Sequence, residues 1–405
     1  MSRHSFFMAV SLASCLFLSA VAFAQRANSI GPLPIDVLYL ANQDTRETFT
    51  IQTYNVDPGY GNATLAGTLS LGLPSRSFPS IVPSANDHYV YVYYREDPTD
   101  TVLQVYATDA NGVPQSPPVE TVNFQALISQ FVIDPNGKWA YGTQPVQNAW
   151  GRSTVEISAF EIDSGTGMVT IPPTSGTISR PPLENICSPQ NPFGPPGFGL
   201  VGFNATGTQL IDGWGCAGED NSVGYYYTQT VNPETGALGL PVGTVGTSSS
   251  EDEYSTVTFT PTAIFSFRGS DYNNGPSGLV VYWPNATLDF SCTDEMLEAC
   301  GYSGGIATDR TGKFLFFYTN AGGTQVTRVN MENKTIEPVG VPLANVITAF
   351  SLDDRLIYGW RSLSWNGEYV IPVYVFDPGT GLVSNNGMEI TMRSEYSSLI
   401  PAMRY

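Results

Sequence analysis

Charged residues are scarce in this chain of 405 residues, where they make up 13% against about 25% in typical soluble domains. Basic residues are the scarcest, because 17 Lys and Arg stand against 36 Asp and Glu and give a formal net charge of −19. A phosphate backbone is bound mainly by clustered basic side chains. The sequence therefore predicts no nucleic-acid partner.

Histidine is also rare, which limits the acid–base chemistry available to the protein. It occurs twice, as His4 and His88, and only His88 lies beyond residue 24. A Ser-His-Asp triad needs a histidine base, but His88 stands in a polar turn before a strand, where we interpret it as a surface residue. The sequence therefore argues against a nucleophilic triad.

Long apolar runs are confined to the N-terminus. The apolar segment at residues 6–23 follows Arg3, and Ala22-Phe23-Ala24 supplies a small-x-small cleavage site. This layout is typical of a secretory signal peptide over residues 1–24. It predicts a secreted, periplasmic or extracellular protein with no membrane span once the signal is removed. A retained membrane anchor and a lipid anchor on Cys15 are the alternatives.

Cysteine is sparse, and its distribution favours disulfide bonds. Cys15 would leave with the signal peptide, and an even number would remain in an oxidising compartment. No Cys-x₂-Cys spacing supports a metal site, and free thiols remain the competing interpretation. The four remaining cysteines are Cys187, Cys216, Cys292 and Cys300.

Aromatic and β-branched runs recur along the chain, mostly after a polar turn, and such runs predict β-strands. A hairpin signal precedes many runs, as in Asp134-Pro135-Asn136-Gly137, and a second follows, as in Asp377-Pro378-Gly379-Thr380-Gly381. Two hairpins make four antiparallel strands, which is a propeller blade. The seven runs are Val37–Leu40, His88–Tyr93, Lys138–Tyr141, Gln209–Trp214, Ala263–Phe267, Lys313–Tyr318 and Arg355–Tyr358.

The sequence therefore predicts an all-β protein, a seven-bladed β-propeller that forms a single domain over residues 37–405 after a linker at residues 25–36. The C-terminal Ser398-Leu399-Ile400-Pro401-Ala402 matches Ser80-Ile81-Val82-Pro83-Ser84, the inner strand of the second blade. The first repeat begins at Val37 and has no inner strand of its own. We therefore expect the C-terminal strand to join the first blade and close the ring.

The strings at residues 134–141 and 377–382 resemble the repeated motifs of lactonase-like propellers. That family includes the propeller 6-phosphogluconolactonases, muconate-cyclising relatives and the surface-layer YVTN repeat proteins. The resemblance covers residues 37–405 and implies the fold, but the family contains both enzymes and scaffolds. It implies a Pro-Arg-His string and an Asn-Glu pair in the lactonase branch. The corresponding strings here, at residues 78–81 and 127–130, lack the Arg and the His.

Metal-dependent lactonase propellers instead use carboxylates and Asn amides in the central channel. A hard divalent cation prefers such oxygen ligands and can polarise a lactone carbonyl. No spacing in this sequence identifies such ligands, because they would come from different blades. We predict no cofactor, with a divalent cation such as Ca²⁺ in the channel as the alternative.

Strands that alternate in direction bring the hairpin turns to one face of a propeller and the longer connections to the other. Such loops commonly carry function, and Trp and Arg side chains suit stacking on sugar rings or aromatic ligands. Packing between blades and solvated acidic loops are the competing interpretations. The candidate ligand-binding residues are Arg95, Trp150, Arg152, Trp214, Asp220, Asp271, Arg361 and Trp365.

The same layout suggests the disulfide pairs Cys187–Cys216, on the loop-bearing face, and Cys292–Cys300, in a short local loop. Taken together, the sequence predicts a secreted binding or scaffold module for a small molecule, a glycan or a protein. The alternative is a lactone hydrolase of the 6-phosphogluconolactonase or metal-dependent type. Carboxylates and Asn around the channel axis favour the hydrolase, whereas an apolar channel favours the binding module.

Overall fold

The computed structural model describes residues 35–404 with internal gaps, and every element in it is a β-strand. The gaps are residues 46–47, 58, 74–78, 86–87, 97–99, 125–127, 129, 148–152, 171–177, 180–196, 204–206, 217–220, 241, 251–255, 260–263, 269–277, 284–285, 292–302, 310, 320–322, 331, 333–334, 352, 363–368 and 393–397. The signal peptide and most of the linker therefore lie outside the described residues. No helix long and apolar enough to cross a membrane occurs in the described part of the chain.

Strand pairing groups the strands into seven antiparallel sheets, which we number from the N-terminus. Sheet 1 contains β1 (Ile35–Thr45), β2 (Thr48–Val56), β3 (Ala63–Leu71) and β29 (Ser398–Arg404). Sheet 2 contains β4 (Ser80–Pro83), β5 (Tyr89–Arg95), β6 (Thr101–Ala107) and β7 (Glu120–Phe124). Sheet 3 contains β8 (Gln130–Ile133), β9 (Trp139–Gln147), β10 (Ser153–Ile162), β11 (Val169–Thr170) and β12 (Ile178–Ser179).

The remaining sheets follow the same order along the chain. Sheet 4 contains β13 (Gly197–Phe203), β14 (Gln209–Cys216), β15 (Asn221–Thr230) and β16 (Val242–Ser250). Sheet 5 contains β17 (Thr256–Phe259), β18 (Ile264–Arg268), β19 (Gly278–Trp283) and β20 (Ala286–Ser291). Sheet 6 contains β21 (Ser303–Thr308), β22 (Phe314–Thr319), β23 (Gly323–Asn330) and β24 (Thr335–Pro338). Sheet 7 contains β25 (Val346–Phe350), β26 (Leu356–Ser362), β27 (Tyr369–Phe376) and β28 (Val383–Met392).

The prediction of an all-β propeller built from antiparallel sheets is confirmed. Each of the seven aromatic runs lies on the second strand of a sheet, counted from the innermost strand. In sheet 1 the innermost strand is β29 and the second strand is β1. Sheet 3 differs from the predicted four strands, because two short strands, β11 and β12, both pair with β10. The segment between them contains Pro172 and Pro173, and proline has no N–H with which to continue a ladder.

The C-terminal strand joins the first sheet, as the sequence predicts. β29 pairs antiparallel with β1 over seven residues, from Ile35 opposite Arg404 to Ala41 opposite Ser398. It therefore occupies the place that β4 occupies in sheet 2, beside the second strand. The innermost strands of neighbouring sheets contact one another in the order β25, β29, β4, β8 and β13, so β29 links sheet 7 to sheet 2.

The hydrophobic core is a series of clusters between neighbouring sheets, because alternate residues of each second strand face opposite neighbours. In β1, Val37 and Tyr39 pack toward sheet 2, whereas Leu38 and Leu40 pack toward sheet 7. Sheets 2 and 3, sheets 3 and 4, and sheets 6 and 7 share clusters of the same kind.

Tyrosine hydroxyls tie the sheets together at the ends of these clusters. The hydroxyl of Tyr91 donates a 3.1 Å hydrogen bond to the carbonyl of Gly167 in the next sheet, and burial raises the pKa of Tyr91. Tyr141 donates in the same way to Gly236, at 2.8 Å. These bonds bring the start of each second strand against the last hairpin of its neighbour. The hairpin turns therefore gather on one face, which we call the turn face.

Candidate functional site

The sequence assigns the candidate ligand-binding residues to the opposite face, which we call the loop face: it carries the connections between the second and third strands of the sheets. The structure describes only part of it. Arg95, the last residue of β5, is exposed there and lies opposite Thr101. The following turn is closed by a 3.1 Å hydrogen bond from the Glu96 N–H to the Asp100 carbonyl.

Two other candidates have a described backbone near the same face. Trp214 lies in β14 opposite Phe198 and Tyr225, two residues before the strand ends. Arg361 lies opposite Val370, one residue before the end of β26. Arg95, Trp214 and Arg361 therefore all approach the loop face at the ends of second strands.

Outside the described residues lie Trp150, Arg152, Asp220, Asp271, Trp365, Cys187, Cys292 and Cys300. Cys216 is the last residue of β14, and the two disulfide pairs stay predictions.

In a propeller, the innermost strand of each sheet lines the central channel. None of these seven strands contains Asp, Glu, Asn or His. Their polar members are mainly Ser and Thr, with one amide at Gln130 and one charged residue at Arg404. A site for a hard divalent cation needs several oxygen ligands, usually including carboxylates. The channel strands do not supply them.

Two of the buried carboxylates that the structure describes accept hydrogen bonds within a turn. The Oδ1 atom of Asp134 accepts hydrogen bonds from the N–H groups of Lys138 and Trp139, both at 2.8 Å. Asp309 accepts one from the Phe314 N–H, also at 2.8 Å. Both carboxylates therefore close the hairpin between the first two strands of a sheet.

The second hairpins of sheets 3 and 7 use acidic residues in the same structural way. Asp163 accepts from the N–H groups of Gly165 and Thr166, at 2.8 Å and 3.0 Å. These backbone hydrogen bonds lower the pKa of Asp163. In Asp377, the hydroxyl of Thr380 and the N–H of Gly379 lower the pKa of the carboxyl. Among the described residues, no group of three or more His, Cys, Asp and Glu is arranged to hold a metal ion.

His88 is an exposed residue in the bend before β5, as interpreted from the sequence, and its carbonyl accepts a 2.9 Å hydrogen bond from the Thr108 N–H.

One catalytic pattern was missed in the sequence: residues 301–305 read Gly-Tyr-Ser-Gly-Gly. A nucleophile elbow places its serine between a strand and a helix. Ser303 instead begins β21 and pairs with Thr319 in an all-β sheet, so the pattern does not form an elbow.

A cavity of about 160 Å³ opens on the turn face between sheets 2 and 3. Its lining includes Ser84, Tyr89 and Asn136. The hydroxyl of Tyr89 donates to the Gly165 carbonyl at 2.6 Å, and Ser84 accepts from the Tyr89 N–H at 3.1 Å. The bond from Tyr89 to Gly165 therefore joins the two sheets, whereas the bond to Ser84 closes the hairpin of sheet 2.

Among the buried carboxylates that the structure describes, that of Asp36 stands apart from these turns, and no motif in the sequence singled it out. It lies near the start of β1, is 2% exposed, and neither carboxylate oxygen has a hydrogen-bond partner among the described residues. The pKa of Asp36 is raised to about 7, chiefly by burial and also by the negative charge of Asp353, while Arg355 lowers it in part. A signal was present in the sequence, because other repeats have His88, Lys138 or Lys313 immediately before the aromatic run.

Comparison with known proteins relates the chain to others through its fold. It matches no protein-family model and no curated protein. A protein from Lactobacillus plantarum has a similar structure, with a TM-score of 0.56, 12% identity, and coverage of 91% of this chain and all of that one. The periplasmic gluconolactonase PpgL of Pseudomonas aeruginosa has a TM-score of 0.40, with 14% identity and coverage of 91% and 85%. Apo AztD of Citrobacter koseri has a TM-score of 0.44, with 10% identity and coverage of 92% and 99%. The likeness to the Lactobacillus protein shows a shared fold. An identity of 12% gives no information about activity.

Proposed function

We propose that the seven sheets are the blades of one closed ring, and that this ring is a binding or scaffold module whose loop face receives the ligand. The observation that carries this proposal is the composition of the channel walls. A hydrolase that activates a lactone in the channel needs carboxylates, amides or imidazoles there. The seven innermost strands offer no carboxylate, no imidazole and a single amide, at Gln130.

The use of the acidic residues supports the same conclusion. Asp134 and Asp309 are buried, but their oxygens already accept hydrogen bonds from the backbone of their own hairpins. A carboxylate whose oxygens accept hydrogen bonds from backbone N–H groups is fixed in place, which suits a structural role in a turn. The acidity of the chain therefore does not by itself indicate a catalytic site.

The ligand class follows from the candidate residues of the loop face. Trp and Arg side chains offer a flat apolar surface and a planar cation, which together suit the faces of sugar rings and of aromatic groups. Arg95 is exposed at the end of a rigid strand, where such a contact can form without reorganising the sheet. We therefore place glycans first among the ligands, ahead of other small molecules and proteins.

The test pairs a binding assay with an activity assay on the purified protein. A glycan array, followed by titration of the best ligand, is expected to give binding that Trp365→Ala and Arg95→Ala weaken about tenfold, since one stacking contact contributes about 1–2 kcal/mol. Tyr60→Ala is the matched control, because Tyr60 is 70% exposed on the turn face and its loss is expected to leave binding unchanged.

Lactone hydrolysis is measured on the same samples by acid release, with EDTA and with added Ca²⁺. We expect no turnover in either condition. Turnover that EDTA abolishes would overturn the proposal in favour of a metal-dependent lactonase. Turnover that survives EDTA would overturn it in favour of a hydrolase that works through its own Arg and carboxylate side chains. Binding that weakens equally in the Tyr60→Ala control would contradict the assignment to the loop face.

A further inference from the structure

The carboxylate of Asp36 is buried where β1 pairs with the C-terminal strand β29. Asp36 lies on β1, the strand that pairs with β29 on one side and β2 on the other. Its register partners are Val56 and Met403, neither of which carries a charge. Alternation along β1 directs Asp36 to the same side as Leu38, toward sheet 7. The carboxyl group is therefore enclosed at the contact between sheets 1 and 7.

This position is unusual among the repeats. The residue at the equivalent position is exposed in three other sheets: His88 in sheet 2, Lys313 in sheet 6 and Arg355 in sheet 7. Those residues follow a hairpin turn and face solvent. Asp36 follows no hairpin, because the inner strand of its sheet comes from the opposite end of the chain. It is consequently 2% exposed, and neither carboxylate oxygen has a hydrogen-bond partner among the described residues.

The groups that face Asp36 only partly offset the cost of a negative charge there. Asp353 repels it and Arg355 attracts it, but Arg355 is also held by Asp353, with Nε 3.3 Å from Oδ2. Tyr358 is fully buried beside Asp36, and the pKa of its hydroxyl is raised by burial and by both neighbouring carboxylates. The same hairpin carries buried Asp354, and β29 carries Arg404 opposite Ile35, one register position away.

We propose that Asp36 is a protonation-controlled latch on the joint between β1, β29 and sheet 7. When Asp36 is protonated, an uncharged group fills the contact, and the ring is held closed. When Asp36 is ionised, an uncompensated charge is enclosed between the sheets, which is costly, so the C-terminal strand is held less firmly. The latch acts on the ring as a whole, independently of any ligand on the loop face.

The pH dependence has a definite sign. The folded-state pKa of Asp36 is raised from 3.8 to about 7, so between these values the folded protein holds a proton that the unfolded chain releases. Stability contributed by this group is therefore complete below about pH 4, declines as the pH rises toward 7, and stays at its lower level above that.

The test compares thermal unfolding of the parent protein with that of Asp36→Asn between pH 4.5 and 8.5. The amide is uncharged and close in size, so the two proteins are expected to unfold at similar temperatures at pH 4.5. Above pH 7 the variant is expected to melt higher by about 5 °C. Hydrogen exchange of residues 398–404 at pH 8.5, corrected for intrinsic rates, is expected to be slower in the variant.

Two further variants keep the proposal testable if Asp36→Asn does not fold. Asp353→Asn removes the repelling carboxylate, so the pH at which half of the stability contributed by Asp36 is lost is expected to fall. Arg355→Gln removes the attracting cation, so that pH is expected to rise. If Asp36→Asn is less stable than the parent at pH 8.5, the proposal is overturned. Such a result would show that Asp36 of the parent is ionised and that a positively charged partner stabilises it. In that case, an equal loss of stability in Arg404→Gln would identify Arg404 as the group that compensates the ionised carboxylate. Identical pH profiles of Asp36→Asn and the parent would overturn the proposal as well.

Discussion

The indole ring of Trp139 packs so closely against Gly236 of the neighbouring sheet that a Cβ atom added to Gly236 would lie 2.4 Å from the ring. The indole N–H of Trp139 also donates a 3.0 Å hydrogen bond to the carbonyl of Pro233, in the same hairpin. Phe314 and Gly381 repeat the arrangement between sheets 6 and 7, where the corresponding distance is 2.2 Å. Neighbouring sheets are thus joined by an aromatic ring seated on a glycine of the next hairpin.

Gly236→Ala is expected to destabilise the protein by about 3 kcal/mol or more, because it adds a clash with the ring to the strain of a left-handed backbone at φ 67°. Gly387→Ala separates the two effects. Gly387 has φ 78°, but nothing lies within 4 Å of a Cβ there, so about 1 kcal/mol is expected. Urea denaturation measures both, and equal losses would contradict the packing argument.

Tyr141→Phe is expected to cost about 1–2 kcal/mol, because it leaves the buried carbonyl of Gly236 without its 2.8 Å hydrogen bond. The ring itself is expected to fit, since sheet 6 has Phe316 at the equivalent position of its second strand. Tyr60→Phe, at an exposed site, is the control and is expected to leave the free energy of unfolding unchanged. A neutral Tyr141→Phe would show that the hydroxyl contributes nothing to the contact between sheets.

Asp134→Ala is expected to cost about 1–2 kcal/mol, because two N–H groups at the start of β9 lose their acceptor. Asp134→Ser is expected to recover most of that loss. The chain itself uses serine at the equivalent positions of sheets 2 and 7, where Ser84 accepts from Tyr89 at 3.1 Å and Ser351 from Leu356 at 2.9 Å. Chemical denaturation of the two variants tests the comparison, and equal losses would contradict the role as acceptor.

Deletion of residues 394–405 is expected to abolish cooperative unfolding, because it removes β29 and exposes the edge of β1 between sheets 7 and 2. A synthetic peptide of residues 394–405 is expected to restore a single transition by adding as a strand to that edge. A peptide with the same residues in scrambled order is the control. A deletion variant that melts as the parent does would show that the ring holds without β29.

The strands and the turns could be predicted from the sequence because their causes are local. The run Lys138–Tyr141 has side chains that favour a pleated strand, and Asp134-Pro135-Asn136-Gly137 has the turn chemistry of a hairpin, including Gly137 at φ 70°. Repetition of these signals predicted the sheets. The match between residues 398–402 and 80–84 predicted the pairing of the chain ends, because equivalent strands carry equivalent patterns.

The candidate site could be predicted only as a set of loops. The ends of β5, β14 and β26 bring Arg95, Trp214 and Arg361 toward one face, as alternating strand directions require. What their side chains bind depends on loops that carry no repeated pattern. The sequence also left open whether the acidic residues serve the channel or the turns, because the hydrogen-bond partner of a carboxylate such as Asp309 becomes visible only in the folded hairpin.

The sequence by itself determined that this is an all-β chain of repeated hairpins with its two ends in one sheet, because strand propensity, turn chemistry and repetition act over a few residues. Only the tertiary structure decided which groups are enclosed where distant segments meet. Tyr141 and Gly236 are 95 residues apart, and Asp36 is enclosed by residues more than 300 positions later in the chain. Such enclosure depends on how sheets pack, and the burial of a charge is a property of that packing rather than of the residue.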